Sequence, residues 1–147
     1  MKAIATEGLG KRYGRRWALR NCTVDVPVGR VVGLVGANGA GKTTLLHLAV
    51  GLLEPTQGSI RVFGGPPGAG PDQLARVGFL AQDAPVYSSL SVGDHLRFGE
   101  RCNPGWDRDF AVRRTANLGL DAGQHAGRLS GGQRSQLALT LAMAKRP

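Results

Sequence analysis

The apolar positions of this 147-residue chain fall into short runs with two different periods. Alternation, or compact clusters of β-branched residues, predicts strands at Ala3–Gly8, Ala18–Val26, Val31–Val35, Ser59–Phe63 and Val77–Leu80. Val31–Val35 (VVGLV) is apolar throughout, as a strand covered on both faces of a parallel sheet should be. Helical spacing with start and stop signals predicts four helices. The first is Thr43–Val50, closed by Gly51 and Pro55. The second is Val92–Arg101, capped by Ser91 and broken by Pro104-Gly105. The third starts at an Asp107 cap and runs to Leu118, with Phe110, Val112 and Leu118 as its packing residues. The last is Gly131–Lys145, capped by Ser130 and packed through Leu137, Leu141 and Ala144. Asp72–Arg76 has room for one helical turn.

Composition narrows the class. Hydrophobic content is 41% and ordinary for a folded domain. The longest apolar run, Leu137–Ala144, is far short of the roughly 18 residues that a membrane helix needs. The first residues carry no apolar leader. Two cysteines, Cys22 and Cys102, make neither a disulfide framework nor a metal-site spacing. A cytoplasmic chain is therefore expected. Net charge is +9, but the cations are scattered as Lys11-Arg12, Arg15-Arg16, Arg113-Arg114 and Lys145-Arg146. With aromatics at 5%, no stacking platform accompanies them, so nucleic acid is not the expected partner.

The chemistry is concentrated in Gly36–Thr44, GANGAGKTT, whose first eight residues fit the phosphate-loop pattern G-x-x-x-x-G-K-[ST] between a predicted strand and a predicted helix. Gly36, Gly39 and Gly41 allow turns and close approach that side chains would block. The N–H groups of Gly39, Ala40 and Gly41 can form an anion nest, and the helix that follows aims its own N–H groups at the same place. Lys42 adds a full charge for the β- and γ-phosphates of a nucleoside triphosphate. Thr43 offers a hydroxyl to Mg²⁺, and Thr44 a further donor to phosphate.

A second helix start, Leu129-Ser130-Gly131-Gly132-Gln133, has the same character: a serine cap and exposed N–H groups at a positive helix end. Two glycines there lower helix propensity by about 1 kcal/mol each. Accepting that cost suggests that something approaches the backbone closely.

Taken together, and in this order, GANGAGKTT and LSGGQ resemble the nucleotide-binding domain of ABC-type ATPases across essentially the whole chain. The resemblance implies an α/β fold: a P-loop NTPase-type layered sheet with an N-terminal β subdomain and a helical subdomain, incomplete at the C-terminus. It divides the chain into a nucleotide-binding core (residues 1–82), a mostly helical subdomain (83–128) and the signature motif with its helix (129–147). Gly36 to Thr44, including Asn38 and Ala40, would cradle the phosphates of ATP. Tyr13 would stack on adenine. Gln82 would touch Mg²⁺ and the attacking water. Ser130, Gly131, Gly132 and Gln133 would bind the γ-phosphate of ATP held by a second, head-to-tail subunit. A separate transmembrane permease would dock near residues 79–96, against Pro85, Tyr87 and Leu90, placing the chain on the inner face of the cell membrane. The function implied is the ATP-binding subunit of an ABC transporter, with a simple exporter as the first expectation. The alternatives are a nucleotide-binding fragment that does not hydrolyse, or a soluble ABC-type ATPase of DNA repair or translation.

The same resemblance implies further residues after Pro147: an apolar strand ending in Asp-Glu, an aspartate-containing loop and a switch histidine. Without them a truncated, poorly soluble and catalytically silent chain is expected. None of His47, His95 and His125 matches the switch position, and each reads as a solvated or packed histidine.

Overall fold

The computed structural model describes residues 1–147, which divide into two compact units, Met1–Leu74 and Ala75–Pro147. The first unit is built on β1 (Lys2–Tyr13), a 12-residue strand that pairs antiparallel with β2 (Arg16–Cys22), β3 (Asp25–Pro27) and β4 (Gln57–Val62). Ile4 faces Val62 and Thr6 faces Ile60 across the β1–β4 ladder. Helix α1 (Lys42–Ala49) packs against β2 and β4. It buries Leu45, Leu48 and Ala49, the three positions that helical spacing puts on one face, and leaves Leu46 exposed. A short helix, α2 (Pro71–Ala75), supplies the single turn expected there.

The strand predicted over Ala18–Val26 is split between β2 and β3, and Thr6 is the reason. Its side chain is 4% exposed. Its hydroxyl donates to the Cys22 carbonyl (3.1 Å) and accepts from the Val24 N–H (2.8 Å). A side chain thus takes the place of ladder bonds where the chain kinks.

Two predicted strands are absent. Val31–Val35 forms no ladder, and its side chains are exposed, Val35 to 93%. No ladder or backbone hydrogen bond joins it to another segment, and an apolar sequence without a paired neighbour is not a strand. Val77–Leu80 is likewise irregular: the Val77 carbonyl accepts from the Lys145 ammonium (2.8 Å) rather than from a neighbouring strand. Burial lowers the pKa of that lysine.

The second unit consists of α3 (Val92–Cys102), α4 (Arg108–Asn117) and α5 (Gly131–Ala144), with a 3₁₀ turn at Ala126–Arg128. All three helix starts carry their predicted caps. Ser91 and Asp94 satisfy each other's N–H groups, Asp107 accepts from the Phe110 N–H (2.9 Å), and Ser130 and Gln133 form a second reciprocal box. The core is Val92, Leu120, Ala126, Leu129 and Leu137. Helix α4 packs against α3 and α5 and buries Ala111 and Thr115, while the Arg114 guanidinium reaches Thr140 Oγ1 (3.1 Å) and Gln136 Oε1 (2.9 Å) of α5. Val112, expected inside, is exposed: the face that reaches a neighbour runs through positions 111 and 115, one residue earlier. Gly99 sits inside α3 because the Trp106 ring packs so close to it that a Cβ would overlap the indole.

Gly99→Ala is therefore expected to destabilise the fold by about 1–3 kcal/mol, the usual cost of overpacking, read as a lower urea midpoint at unchanged slope. A pH effect follows from Asp94. Hydrogen bonds from the Ser91 hydroxyl and amide hold its carboxyl at about 2, below the ordinary 3.8. A depressed carboxyl stabilises the fold above its unfolded value and loses that contribution as pH falls through the folded one. The charge-dependent stability difference between wild type and Asp94→Ala should thus be complete above pH 3.8 and fade towards about 2, measured by denaturation across that range.

Candidate functional site

The phosphate loop lies in the first unit, between the unladdered Val31–Val35 and α1. It is solvent-exposed from Gly36 to Ala40. Gly39 and Gly41 have φ of +85° and +91°, the left-handed region that glycine adopts without strain. At Gly41 space is as restrictive as angle. A Cβ there would stand 2.5 Å from the Ala18 carbonyl oxygen and 3.1 Å from Leu19 Cδ1 of β2. The loop is thus pressed against the sheet at the residue that begins α1.

That helix start has no side-chain cap. Its first-turn N–H groups, from Lys42 to Thr44, have no intrahelical partner by geometry, and the positive dipole end is directed outward. Ala40's N–H closes a turn on the Ala37 carbonyl (3.1 Å), so in the expected nest of Gly39, Ala40 and Gly41 the middle amide is engaged within the loop itself. The Lys42 ammonium curls back over the loop and donates to the carbonyls of Gly36 (2.7 Å) and Ala37 (2.8 Å). It is therefore held beside the place where the amides converge. The Thr43 side chain is exposed and that of Thr44 half-buried; Asn38 is exposed at the tip of the loop. An uncapped helix start and a tethered ammonium supply positive potential, and the left-handed glycine hinge turns the backbone between them; with no carboxylate among them, the arrangement fits the phosphates of a nucleotide. Tyr13 closes β1 in the same unit, half-exposed, with the Lys11 ammonium 5.6 Å from its ring centre.

In the second unit the LSGGQ segment behaves differently. Ser130 Oγ accepts from the Gln133 N–H (3.2 Å), and Gln133 Oε1 accepts from the Ser130 N–H (2.9 Å). Those two side chains hold the helix start in shape. Gly131 and Gly132 have no positive φ, and a Cβ on either would meet nothing within 4 Å. Neither packing nor backbone geometry inside this chain requires glycine at these positions, in contrast to Gly41. Gln82 sits exposed on the Ala81–Ala84 turn. It shares a groove of about 440 Å³ with Asp83, Pro85, Gly131, Arg134 and Ser135. Gln82 and Gly131, far apart in sequence, thus line one surface. Arg134 and Ser135 were not anticipated, and nothing in their spacing marks them.

The histidines are structural. His95 is buried, accepts from the Tyr87 N–H at Nε2 (3.0 Å) and therefore donates from Nδ1 to the Ser91 carbonyl (2.7 Å). His125 Nδ1 bonds the Ser89 carbonyl (2.9 Å). His47 is half-buried in the last turn of α1.

A chain with this loop and this second helix start is a nucleotide-binding one of the P-loop type, and comparison with known proteins agrees. Residues 19–147 match the ABC transporter family, to which the chain belongs. It is 36% identical over 154 residues to the sulfate/thiosulfate import ATP-binding protein CysA of Brucella melitensis biotype 1, covering 98% of this chain and 43% of that protein. It is 37% identical over 155 residues to CysA 1 of Rhizobium meliloti, covering 98% of this chain and 44% of that one. The chain thus spans less than half the length of these curated relatives. Among solved structures, an ATP-binding subunit of an ABC transporter superposes with a TM-score of 0.84 at 24% identity, covering 99% of this chain and 63% of that one. A dimeric ATP-binding cassette in a post-hydrolysis state with ADP and Pi superposes at 0.79 with 23% identity, covering 98% and 70%. These likenesses carry the fold. No helix is long and apolar enough to cross a membrane.

Because nothing surrounds Gly132, Gly132→Ala is expected to raise stability by up to about 1 kcal/mol through helix propensity. Gly41→Ala is expected to lower it by about 1–3 kcal/mol through backbone strain alone. Thermal or urea denaturation of the two variants checks the opposite signs.

Proposed function

We propose that this chain is the ATP-binding part of an ABC import system, and that the protein to which it belongs hydrolyses ATP. The observation that carries the reading is the uncapped start of α1, hinged at a left-handed Gly41 with Lys42 folded over it. In this reading the amides of Gly39 and of Gly41 to Thr44, with the Lys42 ammonium, bind the β- and γ-phosphates, while Gly36, Asn38 and Ala40 complete the loop. Tyr13 stacks on the base. Mg²⁺, when bound, would neutralise charge on the phosphate oxygens, with the Thr43 hydroxyl as its donor from this loop.

The glycines of α5 give the reading its second half. Ser130, Gly131, Gly132 and Gln133 bind the γ-phosphate of ATP on a second copy arranged head to tail. Glycines that serve nothing internal are explained by a ligand that approaches from outside the chain. Pro85, Tyr87 and Leu90 offer a surface to a membrane permease: Pro85 and Tyr87 are exposed, and the Tyr87 ring contacts Phe98 edge-on. The protein then lies on the cytoplasmic face of a membrane through that partner. Import replaces the export first expected, because the relatives named above are import proteins.

Lys42→Ala is the direct test. Removing charge-assisted hydrogen bonds of this kind is expected to weaken MgATP binding by roughly 10–100-fold, read by calorimetric titration. Unchanged affinity would refute the phosphate-loop assignment. Phosphate release, measured on the same preparations, separates a nucleotide binder from an ATPase.

A further inference from the structure

The β1–β2 hairpin concentrates charge: Lys11, Arg12, Arg15, Arg16 and Arg20 fall within ten residues. The four salt bridges of the chain involve none of them. The ladder sorts these cations by face. Tyr13 pairs with Arg16, Arg12 with Trp17 and Lys11 with Leu19, with an irregularity between Lys11 and Arg12 that absorbs Ala18 as an extra residue. Directly opposed residues share a face. Lys11, Tyr13, Arg16 and Leu19 therefore stand on one side, and Arg12 and Trp17 on the other. There the Arg12 and Arg20 guanidinium groups lie 5.4 and 5.8 Å from the Trp17 ring.

The first face is the one that meets the phosphate loop, since Leu19 Cδ1 and the Ala18 carbonyl crowd Gly41. On it, Lys11 is already engaged: its ammonium donates to the Glu54 carbonyl (2.7 Å) and lies over Tyr13. Arg16 is exposed, fixed in register beside Tyr13 and has no acidic partner. It stands three residues from Leu19, about 10 Å along the strand at the usual rise. We infer that Arg16 is a further nucleotide contact, binding the base-proximal phosphate of a nucleoside di- or triphosphate held by the phosphate loop. This rests on the nucleotide-binding reading above. A nucleotide with its terminal phosphates at Gly41–Thr44 and its base against Tyr13 runs along this face, and its first phosphate passes Arg16, the cation that the ladder holds directly beside Tyr13.

The test is calorimetric titration of the chain with MgATP, MgADP and adenosine, comparing wild type with Arg16→Ala, Arg16→Gln, Arg16→Lys and Arg12→Ala, each checked for folding by circular dichroism. Loss of one charge-assisted hydrogen bond should weaken MgATP and MgADP alike by about tenfold, with a shallower dependence on salt. Adenosine binding should not change. Arg16→Lys should recover part of the loss, and Arg12→Ala, on the far face, should bind as wild type does. Wild-type affinity of Arg16→Ala and Arg16→Gln for both nucleotides, in a chain that loses binding on Lys42→Ala, overturns the inference and leaves the phosphate loop intact. A loss confined to MgATP overturns the base-proximal placement. Failure of wild type to bind MgATP removes the reading beneath both.

Discussion

One backbone position carries the first unit's chemistry. At Gly41 the chain must turn left-handed while lying against the Ala18 carbonyl, and only a residue without a Cβ can do both. That turn sets where α1 begins and in which direction its first N–H groups point. Because no side chain caps the start, those donors are left for a ligand. The same contact ties the loop to β2, so the hairpin bearing Tyr13 and Arg16 and the loop bearing Lys42 belong to one compact unit. Charge follows geometry: an ammonium held by two loop carbonyls beside a positive helix end suits a polyanion and little else.

The second unit reaches a similar end by other means. Here the helix start is capped, and Ser130 and Gln133 satisfy each other. What remains unexplained by internal structure is the glycine pair after the cap. In the interior of α3 a glycine has a visible cause, the Trp106 ring; in α5 it has none within the chain. A helix that forgoes propensity without a packing reason leaves its backbone open to an outside group. The first unit thus leaves helix-start donors free through an uncapped end, and the second leaves a stretch of helix backbone bare of side chains.

Legibility in the sequence followed the range of the interaction. Caps are local, and Ser91, Asp107 and Ser130 were read correctly because a hydroxyl or carboxylate needs only the N–H three residues ahead. Part of the loop's geometry was legible for the same reason: Gly39 and Gly41 take positive φ and Lys42 bonds the Gly36 and Ala37 carbonyls, all within a few residues, whereas the contact of Gly41 with Ala18 was not. Strands were less so. Val31–Val35 has strand composition, but a ladder requires a neighbour that composition does not supply. The break after Cys22 depends on Thr6, sixteen residues away. Val112 was misassigned because an isolated apolar residue does not declare which face of α4 will meet α5. The groove joining Gln82 to Arg134 and Ser135 arises only from folding.

The most direct test is residue-resolved. Amide hydrogen exchange, or amide chemical shifts, should be followed as MgATP is added to the chain. Protection or shifts concentrated at Gly39, Gly41, Lys42, Thr43 and Thr44, with the amides of α3 unchanged, are what a main-chain phosphate cradle predicts. Saturable MgATP binding that leaves those five amides untouched would contradict it.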